Sequence, residues 1–365
     1  MLKNKLEGFG HFTNETLKRM VLNNPQVQFY FLFDRAFDQS YIYAKNVIPV
    51  VIPLPARHPI LWNIWFNISI SFWLKKNQPD LFLSPDGFAC LTTKTKQLSV
   101  IHDLAFEHFE DGIQQSHLKF MRKNSPKFAN KVNRIATVSQ FSKNDIFDKY
   151  QINPAKIDVV YNGANNLFQQ ISKNEKDEIK EKYSAGFDYF LYVGSIHPRK
   201  NVASLLKAFD SFKSQTNSDF KLVLTGRMAW KTGAVSNVFN QLKYKNDVIF
   251  TGYLSNEDLA KITATAFALC YVSLFEGFGI PIIEAMKCGV PVICSNTSSM
   301  KEIGEGATVQ INPNSIESIA YAMVLLSKDE ALQQTLIAKG LERQAEFSWD
   351  KTAELLWKSC LKAME

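Results

Sequence analysis

The chain has 365 residues, of which 46% are hydrophobic and 21% are charged, and its formal net charge is +7. This composition excludes a disordered or fibrous protein, and the length predicts two globular domains. The 5 cysteines form no Cys-x-x-Cys pair, which favours structural thiols in a reduced, cytoplasmic compartment over a disulfide framework. The N-terminal residues lack the apolar core of a secretory signal, so we expect no signal peptide.

The first half of the chain alternates short apolar segments with polar ones. We predict strands at residues 27–33, 80–84, 98–101, 134–138 and 157–161, and an edge strand or loop at the proline-containing residues 47–54. Ser139 is the expected N-cap of a helix that ends near Tyr150. Asn162-Gly163 is a turn signal, and the polar stretch from Gln169 to Lys182 predicts a domain boundary, which we place after residue 168.

The second half repeats the alternation. We predict strands at residues 189–194, 220–226, 248–252, 266–272, 290–294 and 307–310, a helix at residues 201–213 and an amphipathic helical tail from residue 347. Strands that alternate with helices form parallel sheets covered by helices on both faces. The sequence therefore predicts an α/β protein of two Rossmann-like lobes, with ligands bound at the carboxyl ends of the strands, in a cleft between the lobes.

The longest apolar segment runs from Ile60 to Leu74 and contains three tryptophans. It is too short to span a bilayer. We favour a helix of the first domain that is buried on most sides. The alternative is a helix whose tryptophans contact a membrane interface.

Much of the positive charge lies in one cluster of lysines and arginines. Its members are Lys119, Arg122, Lys123, Lys127, Lys131 and Arg134. Four of the lysines recur every fourth residue and would form one helical stripe if Pro126 did not interrupt the helix. A solvated face is the simplest interpretation, and attraction to anionic lipid head groups or to an acidic acceptor is the alternative. No nucleic-acid recognition motif accompanies the cluster, so we expect no nucleic-acid partner.

The segment from Phe275 to Glu284 carries the clearest chemical signal. Glu276 and Glu284 are separated by two glycines and a proline, directly after an apolar run. We expect Glu276 on a loop and Glu284 in the first turn of the following helix. A strand, a glycine loop and a helix N-terminus can hold a phosphorylated ligand, and carboxylates bind hydroxyl groups. A nucleotide-sugar has both kinds of group.

This segment resembles the signature of family 4 of the retaining glycosyltransferases, whose fold is GT-B. By that resemblance Glu276 contacts the donor sugar, Glu284 holds the ribose, and Gly277, Phe278 and Gly279 form the turn at the donor. In that family the C-terminal tail crosses back to the first lobe. The resemblance therefore implies an acceptor-binding lobe of residues 1–168 plus 347–365 and a nucleotide-sugar-binding lobe of residues 169–346.

Two adjacent cations, Arg199 and Lys200, stand at the predicted start of a helix, where positive charge opposes the helix dipole. An anion is expected to balance them, and the leaving diphosphate would do so. The family often has an arginine at the position of Ser195, so Arg199 is expected to substitute for it.

In the first lobe, His102 follows a predicted strand directly. The family has a similar Ile-His-Asp motif, which implies that His102 lies against the donor sugar and that Asp103 orients it or the adjacent loop. Gly8 and Gly10 resemble the family's glycine-rich loop, which contacts the diphosphate. Only Met1 to Leu6 precede that loop where the family has a complete strand, so the first strand of this lobe is expected to be missing.

Tyr253 and Leu254 follow Thr251-Gly252, and this segment resembles the loop whose backbone meets the nucleotide base. The chain contains no Asp-x-Asp and no cluster with metal-ligand spacing, so we expect no metal and no other cofactor. It has no Gly-x-Gly-x-x-Gly after a strand, which disfavours a dehydrogenase.

Together these features predict a retaining, metal-independent hexosyltransferase that uses GDP-mannose or a UDP-hexose. The expected acceptor is a glycan or a lipid-linked glycan of envelope polysaccharide synthesis, and the expected location is the cytoplasm, at the inner face of the membrane. One alternative is a non-catalytic nucleotide-sugar-binding or scaffold protein whose first lobe is truncated. Another is an enzyme of the same fold with a different reaction, such as a nucleotide-sugar epimerase.

Overall fold

The computed structural model of the chain describes residues 8–54, 58–227 and 233–365. They fold into two compact units, which we call unit 1 (within Met1–Asn162 and Ser348–Glu365) and unit 2 (within Gly163–Phe347). The division comes at the Asn162-Gly163 turn, slightly before the predicted boundary. The polar stretch that we interpreted as that boundary forms a helix of unit 2 instead, because Ser172 and Glu175 cap each other's backbone at its start and Ile179 is buried.

The strands and helices follow one another in alternation along most of the chain. The strands are β1 Phe29–Phe33, β2 Val47–Val51, β3 Leu81–Ser84, β4 Lys96–Val100, β5 Arg134–Thr137, β6 Ile157–Val159, β7 Tyr189–Val193, β8 Lys221–Thr225, β9 Val248–Gly252, β10 Ala268–Tyr271, β11 Val292–Ser295 and β12 Val309–Ile311. The helices are α1 Phe9–Asn23, α2 Pro59–Ile64, α3 Ser71–Asn77, α4 Ala105–His108, α5 Gln115–Lys131, α6 Gln140–Tyr150, α7 Lys173–Ser184, α8 Val202–Thr216, α9 Gly233–Gln241, α10 Asn256–Thr265, α11 Ile280–Lys287, α12 Ser298–Ile303, α13 Ile316–Lys328, α14 Glu330–Gln344 and α15 Trp349–Met364. The pairs within these sheets are parallel, as the alternation predicts.

Unit 1 contains a four-stranded sheet of order β3-β4-β5-β6 and a separate pair, β1-β2. Ser139 caps α6 as predicted, because its hydroxyl accepts a hydrogen bond from the Ser142 N–H at 3.0 Å. The C-terminal helix α15 belongs to this unit. Its Thr352 hydroxyl donates to the carbonyl of Tyr161 at 2.6 Å, and its Ser359 hydroxyl donates to Asp158 at 2.6 Å. The predicted return of the tail to the first lobe is confirmed.

The outer edges of β1 and β3 are not paired with any other described strand. Both strands line one cavity of about 2020 Å³, together with aromatic side chains such as Trp65 and Trp73. The prediction that a first strand is missing concerns the residues before Gly8, which lie outside the described residues.

The apolar segment that begins near Ile60 is helical throughout, because a π-helical stretch, Trp65–Ile70, joins α2 to α3. It is not buried on most sides, contrary to our expectation. One face packs into the core through Trp65, Phe66, Ile70 and Leu74, while the opposite face stays exposed. No helix of the described residues is long and apolar enough to cross a membrane.

Pro126 does not interrupt the basic helix, contrary to the sequence prediction. It lies inside α5, which continues to Lys131 because Leu118, Phe128 and Ala129 are buried on both sides of the proline. Tertiary packing of this face outweighs the loss of one backbone hydrogen bond. The lysines at positions 119, 123, 127 and 131 therefore do lie on one exposed helical face.

Unit 2 is built on a six-stranded sheet of order β12-β11-β10-β7-β8-β9. Its central strands, β7 and β10, are almost wholly buried and pair with each other. From β7 the chain adds β8 and β9 on one side and β10 to β12 on the other, so the strand order reverses between β7 and β10. Ligands of open α/β sheets bind at such a switch point, at the carboxyl ends of the strands.

Candidate functional site

The loops that follow β7 and β10 meet at the switch point of unit 2. The loop after β7 enters a short 3₁₀ helix, Pro198–Lys200, and the loop after β10 leads to α11. The Leu274 N–H donates to the carbonyl of Arg199 at 2.8 Å, and the side-chain amide of Asn201 donates to the carbonyl of Val272 at 3.2 Å. These bonds join the two loops, which we together call the rim, at the end of the sheet.

Glu276 lies between the two cations of this rim. Its carboxylate accepts hydrogen bonds from Arg199 Nη1 at 3.0 Å and from Lys200 Nζ at 2.5 Å. Lys200 Nζ also contacts the Tyr271 hydroxyl at 3.2 Å. Burial alone would raise the pKa of Glu276, but the charges of Lys200 and Arg199 outweigh it and lower the pKa to about 2. Glu276 is therefore an anion at every physiological pH.

The turn after Glu276 is fixed by two serines at the start of α12. The Glu276 N–H donates to Ser298 Oγ at 3.1 Å, and the Ser299 hydroxyl donates to the carbonyls of Glu276 and Phe278 at 2.8 and 2.9 Å. Gly277 and Phe278 are buried in this turn. Gly279 has φ of 103° and precedes α11, so a residue with a side chain would be strained there.

Glu284 lies in the second turn of α11 rather than in the first turn, which our sequence prediction gave. The helix begins one residue before Pro281, at Ile280, so Glu284 is its fifth residue. Burial raises the pKa of Glu284 to about 8, and the nearby charge of Lys287 offsets this only in part. Without a ligand, its carboxyl group is protonated at neutral pH.

His102 belongs to unit 1, where it packs on the first turn of α1. Phe9 stacks on the imidazole with ring centroids 4.4 Å apart, and Phe12 meets it edge-on at 4.7 Å. Its Nε2 lies 3.1 Å from the carbonyl oxygen of Pro85, which can only accept, so Nε2 carries the proton. Burial lowers the pKa of His102 to about 4, so the ring is neutral and its Nδ1 is an acceptor. Asp103 orients the adjacent loop, because its carboxylate accepts from the Ala105 N–H at 3.0 Å.

The remaining predicted residues also have defined positions. Gly8, with φ of 34°, directly precedes α1, but Gly10 is buried inside that helix, so the predicted glycine-rich loop is shorter than expected. Tyr253 and Leu254 follow β9, and the Tyr253 side chain is 54% exposed. The structure thus brings Arg199, Lys200 and Glu276 into direct contact in unit 2 and places His102 beside the start of α1 in unit 1.

Sequence reasoning missed Tyr271, Asn201 and the serines at positions 298 and 299. Ser298 and Ser299 were detectable in principle, since a Ser/Thr-rich run follows the apolar residues of β11 directly. Tyr271 was not detectable, because it ends a buried strand whose other residues are core. Within the described ranges, no group of three or more His, Cys, Asp or Glu side chains is placed to hold a metal ion.

The fold and the site define an α/β protein with a buried carboxylate, Glu276, held by two cations at the switch point of a parallel sheet. Residues 173–343 match the family model described as glycosyl transferases group 1, and residues 8–166 match the model described as Glycosyltransferase Family 4. The chain therefore belongs to the family 4 glycosyltransferases and is a hexosyltransferase with the GT-B fold, which confirms the family, the fold class and the enzyme class predicted above.

Several curated relatives are named as mannosyltransferases, and two of them match most of this chain. The O-antigen chain mannosyltransferase B of Escherichia coli is 24% identical over 359 residues, which cover 96% of this chain and 94% of the relative. The O-antigen chain mannosyltransferase RfbU of Salmonella typhimurium is 29% identical over 286 residues, 76% of this chain and 74% of the relative.

Solved structures share the fold at low sequence identity. WaaG, a glycosyltransferase involved in lipopolysaccharide biosynthesis, superposes with a TM-score of 0.74 at 14% identity over 96% of this chain and 95% of its own. Anabaena HepE in complex with UDP-glucose gives a TM-score of 0.76 at 16% identity, over 98% of this chain and 96% of its own.

Proposed function

We propose that this glycosyltransferase moves a mannosyl residue from GDP-mannose to a glycan or lipid-linked acceptor, with retention of configuration and without a metal ion. The observation that carries the proposal is the carboxylate of Glu276 held between Arg199 and Lys200 at the switch point of unit 2. The choice of mannose rests on the names of the relatives, and a UDP-hexose is the second candidate donor because HepE is complexed with UDP-glucose.

The charges of the rim suit a leaving diphosphate. Arg199, Lys200 and Glu276 together carry one net positive charge in a largely buried position. A diphosphate would pair with the two cations, and the freed carboxylate oxygens of Glu276 would accept hydrogen bonds from the donor sugar. Preorganised cations of this kind stabilise the charge that develops on a leaving group, which is the contribution a metal ion makes elsewhere.

The neutral imidazole of His102 is compatible with a position beside the donor sugar. A cationic imidazole would repel the positive charge that develops on the anomeric carbon, whereas Nδ1 of the neutral ring can accept a hydrogen bond from a sugar hydroxyl. We assign His102, Glu276, Arg199 and Lys200 to the catalytic machinery on these grounds.

The other predicted contacts complete the donor site. Glu284 would accept from the ribose hydroxyls, the N–H groups from Gly277 to Gly279 would face the diphosphate, and the loop of Tyr253 and Leu254 would contact the base. In unit 1 the start of α1 at Gly8 and Gly10 offers N–H groups that have no partner within the helix. In this assignment residues 1–168 with 347–365 receive the acceptor and residues 169–346 hold the donor.

The reaction then needs no protein base. The bond between the anomeric carbon and the diphosphate oxygen breaks, a bond from that carbon to the acceptor oxygen forms on the same face, and the acceptor's proton passes to the departing phosphate oxygen. The acceptor would be an envelope polysaccharide intermediate, met in the cytoplasm at the inner face of the membrane.

Donor binding and transfer test the proposal together. Purified protein is incubated with GDP-mannose, UDP-glucose and other nucleotide-sugars, with EDTA present, and we expect one donor to raise the melting temperature and to label an acceptor glycan. Glu276→Gln should abolish transfer. Asp247→Asn is the matched control, because Asp247 also lies between two lysines, Lys213 at 2.8 Å and Lys221 at 2.5 Å.

Transfer that survives in Glu276→Gln would refute the assigned role. Donor binding without transfer to any acceptor would favour the non-catalytic alternative, and conversion of the donor without an acceptor would favour an epimerase. Dependence on a divalent ion would refute the metal-independent mechanism.

A further inference from the structure

The helical segment from Pro59 to Leu74 carries no charged residue on any side. Its inner face is accounted for, because Trp65, Phe66, Ile70 and Leu74 pack with Leu32, Phe82 and Phe88 in the core of unit 1. A helix with apolar residues around most of its circumference is normally buried on most sides. The outer face of this helix, by contrast, remains exposed among the described residues.

That outer face presents a row of four large apolar side chains at a spacing of four residues. Ile60, Ile64, Ile68 and Phe72 are 64%, 36%, 63% and 71% exposed. The polar residues between them, Asn63, Asn67, Ser69 and Ser71, are all uncharged. Single exposed apolar residues need no explanation, but a continuous row along one helix marks a contact surface. We call these four residues the apolar row.

A row of lysines lies on the neighbouring helix. The ring of Trp62 in α2 contacts His117 and Phe120 of α5 at centroid distances of 5.0 and 5.5 Å, so the two helices are adjacent in unit 1. On α5, Lys119, Lys123 and Lys127 are exposed. The last turn of α3 carries Lys75 and Lys76, which are exposed too. These five residues form the lysine rim.

Neither the helical segment 59–77 nor α5 contains an acidic residue. The surface therefore carries only positive charge, which distinguishes an anionic membrane from a second copy of the chain as its partner. A second copy of the same surface would bring two lysine rims together, which is repulsive. An anionic bilayer attracts the rim, at about 1 kcal/mol per lysine, and accepts the apolar row among its acyl chains.

We propose that the apolar row and the lysine rim form a membrane-docking surface, with the helix from Pro59 to Asn77 lying in the plane of an anionic bilayer. The apolar row enters the boundary between head groups and acyl chains, and the lysines remain at the level of the phosphates. Docking through these residues would hold unit 1 on the membrane surface, without requiring a segment that spans the bilayer.

Vesicle co-sedimentation of the full chain tests the proposal. We expect binding to vesicles of phosphatidylcholine with phosphatidylglycerol, little binding to phosphatidylcholine alone, and weakening as salt is raised. Phe72→Glu should lower the partition coefficient at least about tenfold, or about 1.4 kcal/mol. Tyr321→Glu is the matched control, because Tyr321 is 66% exposed in unit 2 and the change in charge is the same.

The lysine rim has its own control. Replacing Lys119, Lys123 and Lys127 with alanine should weaken binding on the order of 100-fold at low salt. Replacing the exposed Lys207, Lys328 and Lys339 of unit 2 removes the same net charge and should have little effect. Phe72→Ser, which introduces no charge, keeps the test valid if the glutamate variant does not fold.

Three results would overturn the proposal. They are failure of the unaltered chain to bind anionic vesicles, equal effects of the rim and control variants, and an oligomer that Phe72→Glu dissociates without changing vesicle binding. The last result would assign the apolar row to a protein contact. Vesicle binding is measured without nucleotide or acceptor, so its outcome is independent of transferase activity.

Discussion

Removing the charge of Glu276 should destabilise the ligand-free protein, because two largely buried cations lose their shared partner. The pKa of Glu276 falls from an ordinary value of 4.5 to about 2 in the folded chain. At about 1.36 kcal/mol per pKa unit, that difference corresponds to about 3 kcal/mol of stability at neutral pH. We expect Glu276→Gln to lower the free energy of unfolding by about that amount.

The pH dependence has a definite sign. Because the folded pKa lies below the unfolded value, the stabilisation is complete well above pH 4.5 and is lost as the pH falls from 4.5 towards 2. The difference between the unaltered protein and Glu276→Gln should therefore shrink from about 3 kcal/mol at pH 7 to about 2 kcal/mol at pH 3.5. Urea unfolding followed by circular dichroism measures it at both pH values.

The same substitution should strengthen anion binding while it weakens the fold. With Glu276 neutral, Arg199 and Lys200 are released for inorganic pyrophosphate, and calorimetry at low salt should show binding tighter on the order of tenfold. Asp247→Asn should lose stability without this gain, because its lysines lie outside the rim. A Glu276→Gln variant as stable as the unaltered protein at pH 7, or a stability difference that does not change with pH, would refute the reasoning.

Three further predictions concern the same rim. Lys200→Ala should lower turnover at least about tenfold in a chain that still folds, and full turnover in a steady-state assay would exclude a part for Lys200 in stabilising the leaving group. Glu284→Gln should raise the melting temperature at pH 8 and weaken nucleotide binding. Because the pKa of Glu284 is about 8 in the folded chain and 4.5 ordinarily, ionisation of this carboxyl group lowers the stability of the folded protein as the pH rises from 4.5 to 8. An unchanged melting temperature would contradict the argument that burial raises this pKa. Gly279→Ala should cost about 1 to 3 kcal/mol in urea unfolding, because φ is 103° and the added Cβ would lie 3.0 Å from Ile282 Cδ1, and a neutral effect would show that the turn can relax.

The sequence by itself determined the type of fold and the residue types of the site. Apolar runs that alternate with helical segments favour parallel strands covered by helices, and the strand pairs are parallel. The spacing of Glu276 and Glu284 around a glycine turn pointed to a hydroxyl-bearing, phosphorylated ligand from local chemistry alone. These features are short-range, so propensity and spacing are sufficient to detect them.

The tertiary structure alone decided which of these residues touch. Arg199 and Glu276 are 77 residues apart in sequence, and they meet because β7 and β10 are neighbours in the sheet. The sequence suggested a separate ligand for each, a diphosphate for Arg199 and a sugar for Glu276. It could not show that the carboxylate pairs with both Arg199 and Lys200 in the protein without a ligand.

The sequence also could not predict which faces of the helices are buried. Pro126 stays inside α5 because the residues on both sides of it pack into the core, and the segment after Pro59 exposes a whole apolar face that composition alone would place inside. In both cases the outcome depends on which surface of the helix a distant part of the chain covers. Helix periodicity specifies which residues share a face, whereas only the packed structure specifies which face is left open.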